Sequence, residues 1–247
     1  MIKIFTDFDG TITLHDVGDA MFERFGGKQC SDIVQEYREG KISASECFKR
    51  ECDVCGIVNI NELNAFLDRQ EIDGTFVDFL AFCRSRQLPC FVVSDGMDYY
   101  IKRILDRHRV GGVPFFANEL RFVPVTGTYE AQFEPHFPYK DETCDRCACC
   151  KRNHILMTSS DEDIIIMIGE GYSDRCPARY ADVVFAKDDL LTYCQQENIS
   201  YFEYGSFADV QRRLEKLLGN KRADGSIIGL RKRRRAELAR REVFMGE

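Results

Sequence analysis

Two aspartates two residues apart, Asp7 and Asp9, close an apolar run that begins at Ile2. Two more apolar runs end in the same manner far along the chain. Phe91-Val92-Val93 leads into Ser94-Asp95-Gly96, and Ile164–Ile168 leads into Gly169-Glu170-Gly171, with Asp174 close behind. These side chains suit one chemistry. A group of carboxylates such as Asp7, Asp9, Glu170 and Asp174 is costly to assemble unless a cation neutralises it, and hard oxygen donors favour Mg2+. Such an ion also binds a phosphate oxygen and cancels its repulsion of an attacking carboxylate. An aspartate is a known covalent nucleophile, forming an aspartyl-phosphate, and this task falls to Asp7. Asp9 is placed to protonate a leaving alcohol and then to deprotonate water. Gly10 permits tight backbone beside a phosphate. Thr11 and Ser94 supply hydroxyls, and the loops around Asp95 and Gly96 supply backbone amides. A cation must balance the phosphoryl oxygens, and Lys151 is the candidate.

These residues are far apart in sequence, so the fold must gather them. In an open parallel sheet, ligands collect at the carboxyl ends of the strands. Residues 2–6, 91–93, 164–168 and 183–186 are short apolar runs expected as buried strands. Helical spacing is expected over 76–86, 99–108, 151–158 and 207–218. Phe115–Asn118 and Arg121–Val125 are short strand candidates around Gly127. This alternation predicts an α/β fold, a doubly wound parallel sheet. The block from Asp16 to Ile72 interrupts it with helical stretches at 19–25, 31–37, 43–54 and 61–68. The third of these opens on Ser43-Ala44-Ser45-Glu46, which has the form of a capping box. This block is expected to be a small helical cap domain inserted after the first strand. The expected layout is a core of residues 1–15 and 73–219, a cap of 16–72 and a basic tail of 220–247.

Composition bounds the remaining possibilities. With 247 residues, 44% hydrophobic and 30% charged, the chain is an ordinary globular one of net charge −7. No apolar run approaches membrane-spanning length and the N-terminus has no signal-peptide pattern, so a cytoplasmic location is expected. Twelve cysteines are many, but in a reducing compartment they are expected as thiols. Cys144-Asp145-Arg146-Cys147-Ala148-Cys149-Cys150 and Cys52-Asp53-Val54-Cys55 have the spacing of zinc half-sites, with a redox disulfide or plain packing as the alternatives. From Lys221 to Glu247 the charge is +5, nine Lys and Arg against four Asp and Glu. The run Arg231-Lys232-Arg233-Arg234-Arg235 is expected as a solvated, partly helical face, with contact to nucleic acid or anionic lipid as the alternative.

Asp7-Phe8-Asp9-Gly10-Thr11, Ser94-Asp95-Gly96, Lys151 and Gly169-Glu170-Gly171-Tyr172-Ser173-Asp174 resemble, in order, the four motifs of the haloacid-dehalogenase phosphatase superfamily, over roughly residues 1–218. The resemblance implies Asp7 as nucleophile and metal ligand. It implies Asp9 as acid/base and as metal ligand through its backbone carbonyl. Ser94 and Lys151 would hold the phosphoryl group, and Glu170 would ligate Mg2+ with Asp174 behind it or bound through water. In the family the first acid of the fourth motif is usually aspartate, so Glu170 is a departure. Asp9 favours phosphoester hydrolysis, since the superfamily's dehalogenases lack this acid.

The helical insert resembles the cap of the phosphoserine-phosphatase-like branch. The first motif followed by Thr13 and Asp16, together with the cysteines before Lys151, resembles the methionine-salvage enol-phosphate phosphatases. These act on 2-hydroxy-3-keto-5-methylthiopentenyl-1-phosphate. Phosphoserine and phosphoethanolamine/phosphocholine phosphatases are the alternatives. By the same resemblance Asp16 and Arg50 would contact substrate, with a helix N-cap and a solvated helix residue as their plainer roles. The expected partner is a small phosphoester, with no membrane and no nucleic acid. A regulatory or nucleic-acid-binding protein acting through the tail is the competing reading.

Overall fold

In a computed structural model, residues 1–219 and 230–245 are described. The chain opens with β1 (Ile2–Thr6), then α1 (Val17–Gly26), α2 (Lys28–Arg38), α3 (Ala44–Cys55), β2 (Ile57–Asn59) and α4 (Ile60–Leu67). It continues with α5 (Phe76–Ser85), β3 (Cys90–Met97), α6 (Asp98–Arg107), β4 (Phe115–Pro124) and β5 (Glu130–His136). Then come α7 (Lys151–Thr158), β6 (Ile164–Gly169), α8 (Arg175–Tyr180), β7 (Val183–Ala186), α9 (Asp188–Gln196), β8 (Phe202–Glu203), α10 (Phe207–Gly219) and α11 (Arg234–Met245). The fold is α/β, as the alternation of patterns predicts. Two compact units form: Met1–Asp7, Asp73–Val93 and Lys151 onward make the first, and Phe8–Ile72 with Ser94–Cys150 the second.

The first unit is built on parallel strands in the order β3-β1-β6-β7-β8. Ile4, Phe5, Ile165, Ile166, Met167 and Ile168 are wholly buried, which is why these strands are unbroken apolar runs rather than alternating ones. The β1–β6 register pairs Thr6 with Ile168, so both strands end level. The Asp7 amide adds one more rung by donating to the Ile168 carbonyl at 2.9 Å. Asp7 and Gly169 therefore leave the sheet at the same edge. At the opposite end Asp163 binds the Met1 amine at 2.9 Å and Lys3 at 3.0 Å. Helices α5 and α10 pack through Phe76, Phe79 and Phe207, with the first two ring centroids 4.7 and 5.1 Å from that of Phe207.

Of the expected basic tail, residues 220–229 and 246–247 lie outside the described residues. The described part is packed down rather than free. Leu230 and Ala236 are buried, and α11 packs against α8. The Arg233 guanidinium donates to the carbonyls of Ala178 and Arg179 at 2.7 and 2.8 Å, and Arg240 donates to that of Tyr180. The end of a short helix is thus closed by arginines, as the exposed carbonyls of a helix C-terminus favour. Arg240 is buried and pairs with buried Asp182 at 3.2 Å, while Asp182 also accepts from the Ile165 and Arg233 amides at 2.9 Å each. These two arginines turn inward because acceptors wait for them. Arg231, Arg234 and Arg235 stay exposed.

The second unit carries α1 to α4, α6 and an antiparallel sheet in the order β2-β5-β4. The two short strands expected at 115–118 and 121–125 form one strand, β4. Its partner β5 has no counterpart among the sequence-based expectations, and the turn between them runs through Gly127 at φ +81°. Ala131 and Phe133 of β5 face inward between exposed Gln132 and Glu134. Pro135 sits opposite Leu120, beyond the stretch of β5 that β2 covers, where its missing N–H leaves no bond unmade. Ser43 caps α3, its hydroxyl accepting from the Glu46 amide at 3.2 Å. Phe48 joins α1, α3 and the loop after β5, its ring centroid 6.1 Å from that of Phe22 and 6.3 Å from that of Phe137.

Two of these buried groups give measurable expectations. Arg240→Ala leaves the buried Asp182 carboxylate without its counter-charge and lowers unfolding free energy by about 3 kcal/mol, read from urea denaturation. His154, buried on α7, is pushed down to about 4 by burial. The folded chain thus holds fewer protons than the unfolded one between that value and the ordinary histidine range. Stability contributed by neutral His154 is complete above the ordinary range and is lost as pH falls toward 4. His154→Met flattens the fall in melting temperature across that interval, and an unchanged slope would count against it.

Candidate active site

In the first unit, three strand or helix ends bring charge together. Lys151 begins α7 and is fully buried. Its ammonium lies 2.7 Å from Asp7 Oδ1 and 2.7 Å from Asp174 Oδ1, and donates to Ser173 Oγ at 2.8 Å. Burial alone would pull the lysine pKa down, but the Asp174 and Asp7 carboxylates hold it above its ordinary value. The ammonium is therefore a permanent charge. Asp174 Oδ2 accepts from the amides of Glu170 and Gly171 at 3.0 and 3.1 Å. A β-carbon on Gly169 would lie 2.4 Å from that oxygen, so only glycine lets the loop close on the carboxylate. Leu190 donates its amide to the Glu170 carbonyl at 2.7 Å. The Glu170 carboxyl is raised to about 7, by burial first and by Asp174 next. A cation placed beside it would reverse that shift.

In the second unit, Asp9 is nearly buried and is held from several sides. Oδ1 accepts from the Val17 amide at 3.1 Å. Oδ2 accepts from the Tyr100 hydroxyl at 2.7 Å and from Ser94 Oγ at 3.4 Å. Ser94 is fully buried and accepts from the Gly96 amide at 2.9 Å. Asp95 does something else. Its Oδ1 accepts from the amides of Ala148 and Cys149 at 2.7 and 2.8 Å, and Asn118 donates to its backbone carbonyl at 2.6 Å. The carboxylate shapes the loop that leads to the lysine. Thr11 Oγ1 is buried with no hydrogen-bond partner among the described residues.

The other predicted positions are placed as follows. Asp16 caps α1, accepting from the Asp19 amide at 2.8 Å. Arg50 grips Glu36 with both terminal nitrogens, at 2.7 and 3.2 Å. The buried face of α3 presents Cys47, Glu51, Cys52 and Cys55 instead. All twelve cysteines are thiols. The Cys147 thiol is pushed up by its hydrogen bond with Cys150 and by burial. Among the described residues, no three His, Cys, Asp or Glu side chains come together as a metal cage.

Sequence reasoning gave no role to Tyr100 or Ser173. Tyr100 shares the apolar face of α6 with Ile101, Ile104 and Leu105, and periodicity assigns it to the core. The signal was its hydroxyl, which must find a partner once buried.

Comparison with known proteins gives the setting. A family model described as "Putative Phosphatase" matches residues 2–202. The chain is 31% identical over 229 residues to a 2-hydroxy-3-keto-5-methylthiopentenyl-1-phosphate phosphatase of Bacillus cereus, covering 89% of this chain and 99% of that one. It is also 31% identical over 223 residues to the protein of the same name from Bacillus cytotoxicus, covering 88% and 97%. A solved phosphoserine phosphatase, captured as a phospho-aspartyl intermediate analogue, has a TM-score of 0.66 at 17% identity, covering 86% of this chain and 98% of that chain. A substrate-bound phosphoserine phosphatase gives 0.62 at 17%, covering 86% and 97%. These two likenesses concern the fold. Among the described residues no helix is long and apolar enough to cross a membrane. The matched span and the two relatives agree: the chain belongs to this phosphatase family and is a phosphoric monoester hydrolase.

Proposed function

We propose that this phosphatase works through a covalent phosphate on Asp7, and that its substrate is 2-hydroxy-3-keto-5-methylthiopentenyl-1-phosphate. The observation that carries the mechanism is the buried Lys151 between Asp7 and Asp174. The ammonium orients the Asp7 carboxylate through one oxygen, and the same ammonium is at hand for a phosphoryl oxygen. The substrate comes from the names of the relatives that the chain matches over nearly its whole length. The two groups of residues are proposed to serve one reaction, because together they carry the ordered motifs of the resemblance.

The donor set fits Mg2+. The oxygens are hard, the raised Glu170 carboxyl calls for positive charge, and two carboxylates with a backbone carbonyl suit an ion that keeps several waters. Asp7, Glu170 and the Asp9 carbonyl would hold it. Asp174, whose two oxygens bind Lys151 and the loop amides, would keep the loop in place. Bound there, the ion supplies charge neutralisation at the phosphate.

In the first step an Asp7 oxygen bonds to phosphorus as the ester P–O bond breaks, and Asp9 gives its proton to the departing oxygen. In the second, Asp9 takes a proton from water, whose oxygen bonds to phosphorus and frees Asp7 and inorganic phosphate. Ser94, Thr11 and the amides near Asp95 and Gly96 would hold phosphoryl oxygens. For Asp16 or Arg50 to meet substrate, the first must release the Asp19 amide and the second must release Glu36.

Asp7→Asn should reduce hydrolysis of an aryl phosphate in Mg2+ to background, and retained turnover would rule out this nucleophile. Chelation should abolish turnover, and added Mg2+ should restore it. Against a panel of phosphoserine, phosphoethanolamine, phosphocholine and the enol-phosphate, kcat/KM should be highest for the last. A different winner would reassign the substrate while leaving the phosphatase intact.

A further inference from the structure

We propose that Tyr100 is the positioning residue of Asp9, fixing the carboxyl that donates and accepts the proton. This rests on the reading of Asp9 as acid/base.

The geometry is specific. The Tyr100 ring is buried beside Phe8, with centroids 6.2 Å apart, and its hydroxyl donates to Asp9 Oδ2 at 2.7 Å. Its niche is reserved by two glycines. A β-carbon on Gly96 would lie 1.8 Å from the Tyr100 oxygen and 2.6 Å from Asp9 Oδ2. A β-carbon on Gly18, in the first turn of α1, would lie 3.2 Å from the same tyrosine oxygen. Any side chain at Gly96 displaces the hydroxyl or the carboxylate. The other Asp9 oxygen is held by the Val17 amide, so donors on both oxygens stop the carboxyl from rotating. A carboxyl that cannot rotate has its remaining lone pairs in fixed directions, and proton transfer depends on that direction. The tyrosine is suited to this task. A phenol hydroxyl carries one proton to donate, and here that proton is directed at a carboxylate oxygen.

The role has a signature that packing alone lacks. A leaving group that departs without a proton does not need a well-placed acid, and one that must be protonated does. Because kcat/KM reports the steps up to ester cleavage, it isolates the proton donation. The test compares wild type and Tyr100→Phe on substituted phenyl phosphates in Mg2+, from p-nitrophenyl to unsubstituted phenyl. With p-nitrophenyl phosphate, kcat/KM should change by less than about two-fold. With phenyl phosphate it should fall about ten-fold, so dependence on leaving-group basicity steepens. An equal fall for both esters, or none for either, overturns the role of Tyr100 and leaves the phosphatase reading standing. Failure of wild type on every ester removes both. Should the phenylalanine variant not fold, 3-fluorotyrosine at position 100 keeps the ring while altering its donor strength, and an unchanged slope there overturns the proposal in the same way.

Discussion

A fully buried ammonium is the constraint on which the first unit turns. Taking a lysine out of water costs several kcal/mol unless opposite charge and hydrogen bonds replace its hydration. Lys151 has two carboxylates and a hydroxyl within 2.8 Å. One carboxylate follows β1, the other follows β6, and the lysine starts α7. The three elements cannot drift apart without stranding a charge. This explains why the register of β1 on β6 matters, since it delivers Asp7 and the Gly169 turn to the same edge. It explains the glycine at 169 as well, where the turn must close on Asp174. The cost of burial is offset by the same charges that are proposed to handle a phosphate.

In the second unit, neutral donors take on a comparable task around Asp9 and Asp95. The Val17 amide and the Tyr100 hydroxyl hold the first, and the Ala148 and Cys149 amides hold the second. Donors of that kind orient a carboxylate without cancelling its charge. For Asp95 the result is mechanical. The cysteine-rich loop before Lys151 takes its path from two amides pointing at one oxygen, and Cys147, Cys149 and Cys150 are buried within it.

The acids and the lysine were legible in the sequence. Asp7, Asp9, Ser94, Lys151, Glu170 and Asp174 stand out because they cluster where unbroken apolar runs end or a helix begins, and strand-end acids are hard to explain otherwise. The parallel sheet of the first unit follows from the same runs. What escaped has a physical reason. Strand β5 contains Pro135 and three charged or histidine positions, and its identity comes from pairing with β4 rather than from its own residues. Strand β2 is three residues long, within a block whose pattern is helical. Helix α8 is too short to show a period and is held by its neighbours. Tyr100 is hidden because a tyrosine on an apolar face counts as hydrophobic until its hydroxyl is asked for a partner. Five consecutive basic residues suggest water, and the acceptors on α8 and Asp182 become visible only once the chain is folded.

The position of β1 bears on how a newly made chain acquires its shape. Its partners in the sheet begin at Cys90 and Ile164, so the second of them is synthesised long after β1 itself. Until then the five residues of this strand lack one of the two edges that bury them, and closing loops over such spans is slow. Helices α1 to α3 pack on one another and can settle earlier. A nascent chain would thus carry this apolar strand with one edge open through much of its elongation, and an open strand edge of that kind is prone to wrong pairing.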